Sequence, residues 1–213
     1  MREALIVWCG WSGHEPEQCA AVVAEMLGQA DFKVRVETST EVFADPALAQ
    51  LSLIVPICTM SHIRKEEVAN LTQAVQSGVG LAGFHGGMGD AFRESVDYQF
   101  MTGGQWVAHP GNVIDYRVHI CAGDDPVVAG IGDFDYHSEQ YYMHVDPSNQ
   151  VLATTTFSAA HAPWIDGTVM PVVWKRRHGA GRVFYSALGH VAQEFEVPQM
   201  RTILERGLRW AAR

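Results

Sequence analysis

Long hydrophobic runs are missing from this sequence. No stretch of about 18 consecutive apolar residues occurs, so no segment has the make-up of a membrane-spanning helix. The first eight residues, Met1 to Trp8, hold a short apolar run. They lack the longer apolar stretch and small-residue cleavage site of a secretory signal, so they read as a first strand, and a cytoplasmic location is the expectation. Positive charge is scarce as well. Lysine and arginine number 15 against 24 acidic residues, for a net charge of −9 with histidine neutral. That balance argues against nucleic acid as a partner, because phosphate contacts need clustered cations. The one basic cluster, Lys175-Arg176-Arg177-His178, precedes Gly179-Ala180-Gly181 and is expected to be a solvated hairpin tip. The four cysteines (Cys9, Cys19, Cys58 and Cys121) form no C-x-x-C pair. Reduced, mostly buried thiols fit that spacing better than a disulfide framework or a thiolate metal site.

What is present is ordinary for a globular chain, with one exception. The 213 residues are 47% hydrophobic and 18% charged, enough for one domain over 1–213 with a sizeable core. Apolar runs at Ala4–Trp8, Leu51–Ile57 and Val79–Phe84 alternate with helical patterns starting near Glu15-Pro16 and carrying Val68, Leu71 and Val75. That alternation predicts a parallel sheet with helices on both faces. In the second half, stretches at 114–120, 136–145, 151–156 and 169–175 read as strands with no long helix between them, which predicts an antiparallel or mixed extension. A core strand over 182–187 and a helix from Pro198 close the chain. The exception is histidine, with ten residues.

Their positions carry the functional argument. Gly83-Phe84-His85-Gly86-Gly87 follows a buried strand directly. A small-x-residue-x-small pattern there makes a sharp turn that lifts the central side chain above the sheet, and in hydrolases that residue is a nucleophile. Here it is an imidazole, able to act as base, acid or metal ligand at neutral pH. His14 lies between the first strand and first helix, and His190 follows the last core strand. Both are thus expected near His85, since ligands of open α/β sheets sit beyond the carboxyl ends of strands. Asp90 either caps a helix or orients His85. His137-Ser138-Glu139-Gln140-Tyr141-Tyr142-Met143-His144 reads as one strand, polar and aromatic on both faces, with His137, Glu139 and Tyr141 on one side and Gln140, Tyr142 and His144 on the other. Arg93, Gln105, Trp106, His109 and Tyr142 are candidate substrate contacts, Trp106 as a platform on which a sugar could stack. His62 makes a weaker case. His119, His161 and His178 are expected to be structural or solvated.

The segments G-F-H-G-G-M-G-D-A-F-R, Y-Q-F-M-T-G-G-Q, H-P-G, H-S-E-Q-Y-Y-M-H-V-D-P and G-R-V-F-Y-S-A-L-G-H together resemble the trehalose-utilisation (ThuA-like) family across essentially the whole chain. The resemblance implies the class I glutamine-amidotransferase-like fold, a flavodoxin-like three-layer sandwich whose mainly parallel sheet bears an antiparallel extension. Amidotransferases place cysteine at the elbow, so His85 argues against glutamine hydrolysis. What the family implies instead is carbohydrate catabolism, with trehalose-like disaccharides or their keto derivatives as substrate and a functional link to a sugar oxidoreductase. The residues suit such chemistry. His85, Asp90, Glu139 and His190 are the candidate acid–base groups. His14, His85, His144 and His190 are candidate ligands for zinc, manganese or iron. A metal-assisted enzyme, a metal-free acid–base enzyme and a non-catalytic sugar-binding or regulatory module stay open, as does assembly into a homo-oligomer.

Overall fold

The computed structural model describes residues 2–213. Strands β1 (Arg2–Trp8), β3 (Leu53–Ile57) and β4 (Gly80–Phe84) are almost continuously apolar and buried, as strands covered on both faces must be. β2 (Phe32–Glu37) alternates apolar and charged residues and sits at the sheet edge. The sheet continues through β11 (Gly181–Ser186), β10 (Val169–His178), β9 (Gln150–Thr156), β6 (Val113–Ile120) and β7 (Phe134–Glu139), in the order β2-β1-β3-β4-β11-β10-β9-β6-β7. Pairing is parallel from β2 to β11 and antiparallel from β11 to β7. A separate antiparallel ribbon joins β5 (Gly104–Ala108) to β8 (Tyr142–Val145). The expected parallel sheet with an antiparallel extension is therefore what the chain builds.

Helices α1 (Pro16–Gln29) and α2 (Lys65–Gln76) connect β1 to β2 and β3 to β4, crossovers that run in opposite directions along the sheet, so their right-handedness puts them on opposite faces. α5 (Pro198–Ala211) packs beside α1, while α4 (Val96–Thr102) packs beside α2. The short α3 (His85–Gly89) caps the end of β4. α5 buries Met200, Ile203, Leu204, Gly207, Leu208 and Ala211 on one stripe. Gly207 has a steric purpose, because a β-carbon there would run into the Phe184 ring of β11. Gly207→Ala is expected to cost about 2 kcal/mol through overpacking, read as a lowered midpoint in thermal or urea unfolding.

Two expectations need correcting. The cluster 175–178 is not a solvated tip, because it lies in β10 and the turn comes at Gly179. Lys175, Arg176 and His178 are buried. Lys175 pairs with Asp125 and lies over the Trp210 ring, and Arg176 reaches Asp146 at 3.2 Å. Acidic partners far along the chain made burial affordable, which local composition does not reveal. The segment 136–145 is also not one strand. β7 ends at Glu139, and Gln140 leaves the ladder to donate to Thr155 Oγ1 at 2.7 Å. The break destroys the period-two pattern, so His137 is exposed while Glu139 and Tyr141 are buried.

Candidate active site

Four neighbouring strands, β1, β3, β4 and β11, run parallel and end at the same carboxyl edge of the sheet. The segment after β1 brings His14, that after β3 brings Thr59 and Met60, β4 runs straight into His85, and the segment after β11 brings His190. His85 is buried with φ of +42°, a conformation costly for a residue with a β-carbon. Glu15 (+47°) and Met60 (+57°), in neighbouring loops, share that strained region. Next to His85, Gly86 admits no side chain, since a β-carbon would stand 2.5 Å from the His14 ring. The elbow and His14 are thus fitted to each other.

The break after β7 turns Glu139 into this crevice, where one carboxylate oxygen meets three imidazoles. Glu139 Oε2 is 3.1 Å from His85 Nε2, 3.4 Å from His190 Nδ1 and 3.6 Å from His14 Nε2. His190 Nδ1 is 3.3 Å from His85 Nε2. His109 Nε2 approaches the other oxygen at 3.8 Å. Supporting contacts orient each ring. His85 Nδ1 donates to the Ala187 carbonyl at 2.9 Å, so in the neutral ring Nε2 presents a lone pair to the crevice. His14 Nδ1 bonds the Thr59 hydroxyl at 3.0 Å. Glu194 does not touch the His190 ring; it accepts from the His190 backbone amide at 2.9 Å and from the Tyr136 hydroxyl at 2.5 Å. Tyr141 stacks on His85 with ring centres 4.0 Å apart.

Burial lowers the pKa of His85 to about 4, although the Glu139 contact pulls the other way. For Glu139, burial alone would raise the carboxyl, but the facing imidazoles of His14, His190 and His85 outweigh it and hold it well below the usual carboxylate range. Burial likewise depresses His190, yet Glu139 prevails and its pKa is raised. His190 is therefore the natural proton holder, its Nδ1–H lying between two acceptors.

The donor set fits a divalent ion. His14 Nε2, His85 Nε2, His190 Nδ1 and a Glu139 oxygen lie within 4.8 Å of one another. A tetrahedral ion with bonds of about 2.1 Å needs ligand atoms roughly 3.4 Å apart, close to the spacings above. His14 Nε2 is moreover buried with no hydrogen-bond partner, as a ligand atom awaiting a cation would be.

Beside the cluster opens a cleft of ≈ 470 Å³, of ordinary size for a small-molecule site. Trp11, Trp106, His109 and Tyr141 give it aromatic walls, and Asp90 and Arg93 a polar edge. Asp90 does not orient His85. It holds Arg93 through two bonds of 2.6 and 2.8 Å, which set the guanidinium over the Trp106 ring at 4.8 Å. Gln105 and His144 pair across β5 and β8 and border a different surface hollow. Tyr142 packs on Phe157. Those three are not brought to the cluster, and Glu139 stands where His144 was expected. His190 alone also borders a second groove of ≈ 700 Å³, with Val113, Glu194 and Val197 among its walls. Trp11 and Thr59 escaped sequence reasoning; their positions just beyond β1 and β3 were the available signal.

The protein is thus a three-layer α/β sandwich that carries a histidine–carboxylate cluster, with no thiol, on a strand-to-helix elbow. The trehalose-utilisation (ThuA) family model matches residues 3–211, and the chain belongs to that family. Among solved structures, it is similar to a ThuA-like protein of Bacteroides uniformis (TM-score 0.80, 19% identity, covering 99% of this chain and 91% of that one). One from Parabacteroides merdae gives 0.79 at 18% identity, covering 99% and 89%. A cytoplasmic protein of Salmonella typhimurium gives 0.71 at 12% identity and covers both chains fully. Likeness at such identities establishes the fold. A search of curated protein sequences finds no match.

Proposed function

We propose that this chain is a sugar-processing enzyme that acts on a trehalose-like disaccharide or its keto derivative, through acid–base chemistry at a divalent-metal centre held by His14, His85, Glu139 and His190. The observation that carries this reading is the single carboxylate oxygen faced by three imidazoles at the elbow, open to an aromatic-walled cleft. Family membership supports the carbohydrate role. A zinc, manganese or iron ion in that set would polarise a sugar carbonyl or hydroxyl oxygen. The chain's own residues do the rest. Glu139 keeps a second oxygen, Oε1, outside that set, free to accept a proton from the carbon beside a carbonyl and to return it. Trp106 and Trp11 offer flat apolar faces for a sugar ring, while the Asp90–Arg93 pair and His109 address its hydroxyls. The residues of 1–213 act as one unit. Glutamine hydrolysis has no place here, because the elbow offers no thiol to carry an acyl group.

Elemental analysis of untagged protein purified without added metal, paired with turnover of a keto-disaccharide, tests the proposal. About one equivalent of a transition metal and activity lost in chelator are expected. Full activity with every metal sub-stoichiometric would leave a metal-free acid–base site of His85 and Glu139, and no turnover of any keto-disaccharide would overturn the enzymatic reading. Trp106→Ala is expected to raise KM about fivefold with little change in kcat, the effect of losing about 1 kcal/mol of stacking.

A further inference from the structure

We infer that Cys9 and Cys58 form an internal dithiol that peroxide closes into a disulfide at the root of the two loops carrying the site. β1 and β3 pair in parallel with Trp8 opposite Ile57, and the Cys9 amide continues the ladder by donating to the Ile57 carbonyl at 2.9 Å. Cys9 and Cys58 are therefore the next partners across neighbouring strands. Strands in a sheet lie about 4.8 Å apart, inside the range of about 4.4 to 6.8 Å that disulfides span between α-carbons. In-register parallel partners also project their side chains to the same side of the sheet.

The two thiols are chemically unequal, as a redox pair requires. Cys58 is fully buried, with burial pushing its thiol up, and donates to the Val7 carbonyl at 3.3 Å. Cys9 is half-buried and lies 3.3 Å from the Ser61 hydroxyl. Hydrogen bonding from the Cys58 thiol, with help from Ser61, outweighs burial and lowers Cys9 to about 7. Turning the Cys58 proton from the Val7 carbonyl toward an ionised Cys9 sulfur costs only a rotation about one bond. Cys9 is thus the attacking thiolate and Cys58 the resolving thiol. Peroxide transfers one oxygen to the Cys9 thiolate, making a sulfenic acid and releasing hydroxide that takes up a proton. The Cys58 sulfur then displaces the sulfenic oxygen, which leaves as water. Two thiols have lost two hydrogens and one peroxide has become two waters.

The position gives the bond consequences. Cys58 directly precedes Thr59, whose hydroxyl holds His14, and Gly10 after Cys9 is wedged against the Thr59 carbonyl and the Ser61 hydroxyl. The inference does not depend on what the cleft binds.

Wild-type protein treated with a few equivalents of hydrogen peroxide, blocked with N-ethylmaleimide in denaturant and digested, tests it by mass spectrometry. Cleavage at Glu15 or Glu17 separates Cys9 from Cys19. A Cys9–Cys58 linked peptide lighter by two hydrogens, restored to two thiols by dithiothreitol, is expected. In Cys58→Ala, Cys9 should instead progress to the sulfinic acid. Recovery of both cysteines as maleimide adducts from wild type, or an over-oxidised Cys9 beside a free Cys58, would overturn the inference. Linkage of Cys9 to Cys121 of another molecule would do the same.

Discussion

His85→Ala is expected to lower turnover of a keto-disaccharide by about 10²-fold or more while the fold stays intact, the loss that removing a positioned acid–base group or a metal ligand brings. The change strips the cluster of the Nε2 atom that meets both Glu139 and His190, and takes the stacking partner from Tyr141. The fold should survive because the core strands bracketing the elbow, β4 and β11, pair through backbone groups that the imidazole does not touch. Circular dichroism and an unfolding midpoint check the fold, and steady-state kinetics check the loss. A folded His85→Ala protein with full turnover would reduce the elbow histidine to a turn residue and move the assignment to Glu139 and His190. The cysteine variant, His85→Cys, should not gain glutaminase activity. Ala192 stands two residues beyond His190, where the triad carboxylate would be needed, and Glu194 is bound to the His190 backbone amide and Tyr136 rather than to an imidazole.

Why His14, His85 and His190 were legible in the sequence, while His144, Gln105 and Tyr142 were misplaced, comes down to which periodicities carry through. Each of the first three follows an apolar run that forms a strand of the parallel stretch from β2 to β11, and the carboxyl ends of such strands converge by topology alone. Strand identity therefore sufficed to gather them. The other three depend on where one strand stops. Gln140 gives up its place in the ladder for Thr155, and that single side-chain bond turns Glu139 and Tyr141 inward and starts a new ribbon. His144 then faces outward opposite Gln105. No local signal marks the break, because polar and aromatic residues occupy both faces of the segment before and after it. Lys175 and Arg176 were missed for a related reason. Charged residues on a strand read as solvated until their partners Asp125 and Asp146 are known, and those come from loops 50 and 30 residues away.

In metal-free protein, folding stability is expected to fall by about 3 kcal/mol as the pH drops from 6.5 toward 4. His85 supplies the larger part of the acid limb, and the buried His178, whose pKa burial also lowers, adds in the same direction. The His85 pKa falls from an ordinary 6.5 to about 4 on folding, because burial penalises the imidazolium. Between those values the unfolded chain binds a proton at this position that the native one refuses, so stability rises with pH there. The contribution is complete above pH 6.5 and is lost as the pH falls through the window. A shift of about 2.5 units at 1.36 kcal/mol each gives the quoted size, with no discount for solvent since the ring is buried. His190 acts with the opposite sign. Its folded pKa is raised, so its contribution is complete below 6.5 and is lost as the pH climbs through the raised value. The two windows meet at the unfolded histidine value without overlapping, so His190 does not contribute to the slope below pH 6.5. Urea unfolding at a series of pH values in chelator reads the curve directly. His85→Gln, whose side chain does not titrate, should flatten most of the limb between pH 6.5 and 4 and leave the side above 6.5 in place. An acid limb unchanged in that variant would mean that His85 keeps an ordinary pKa in the folded protein, and with it a protonated ring against Glu139.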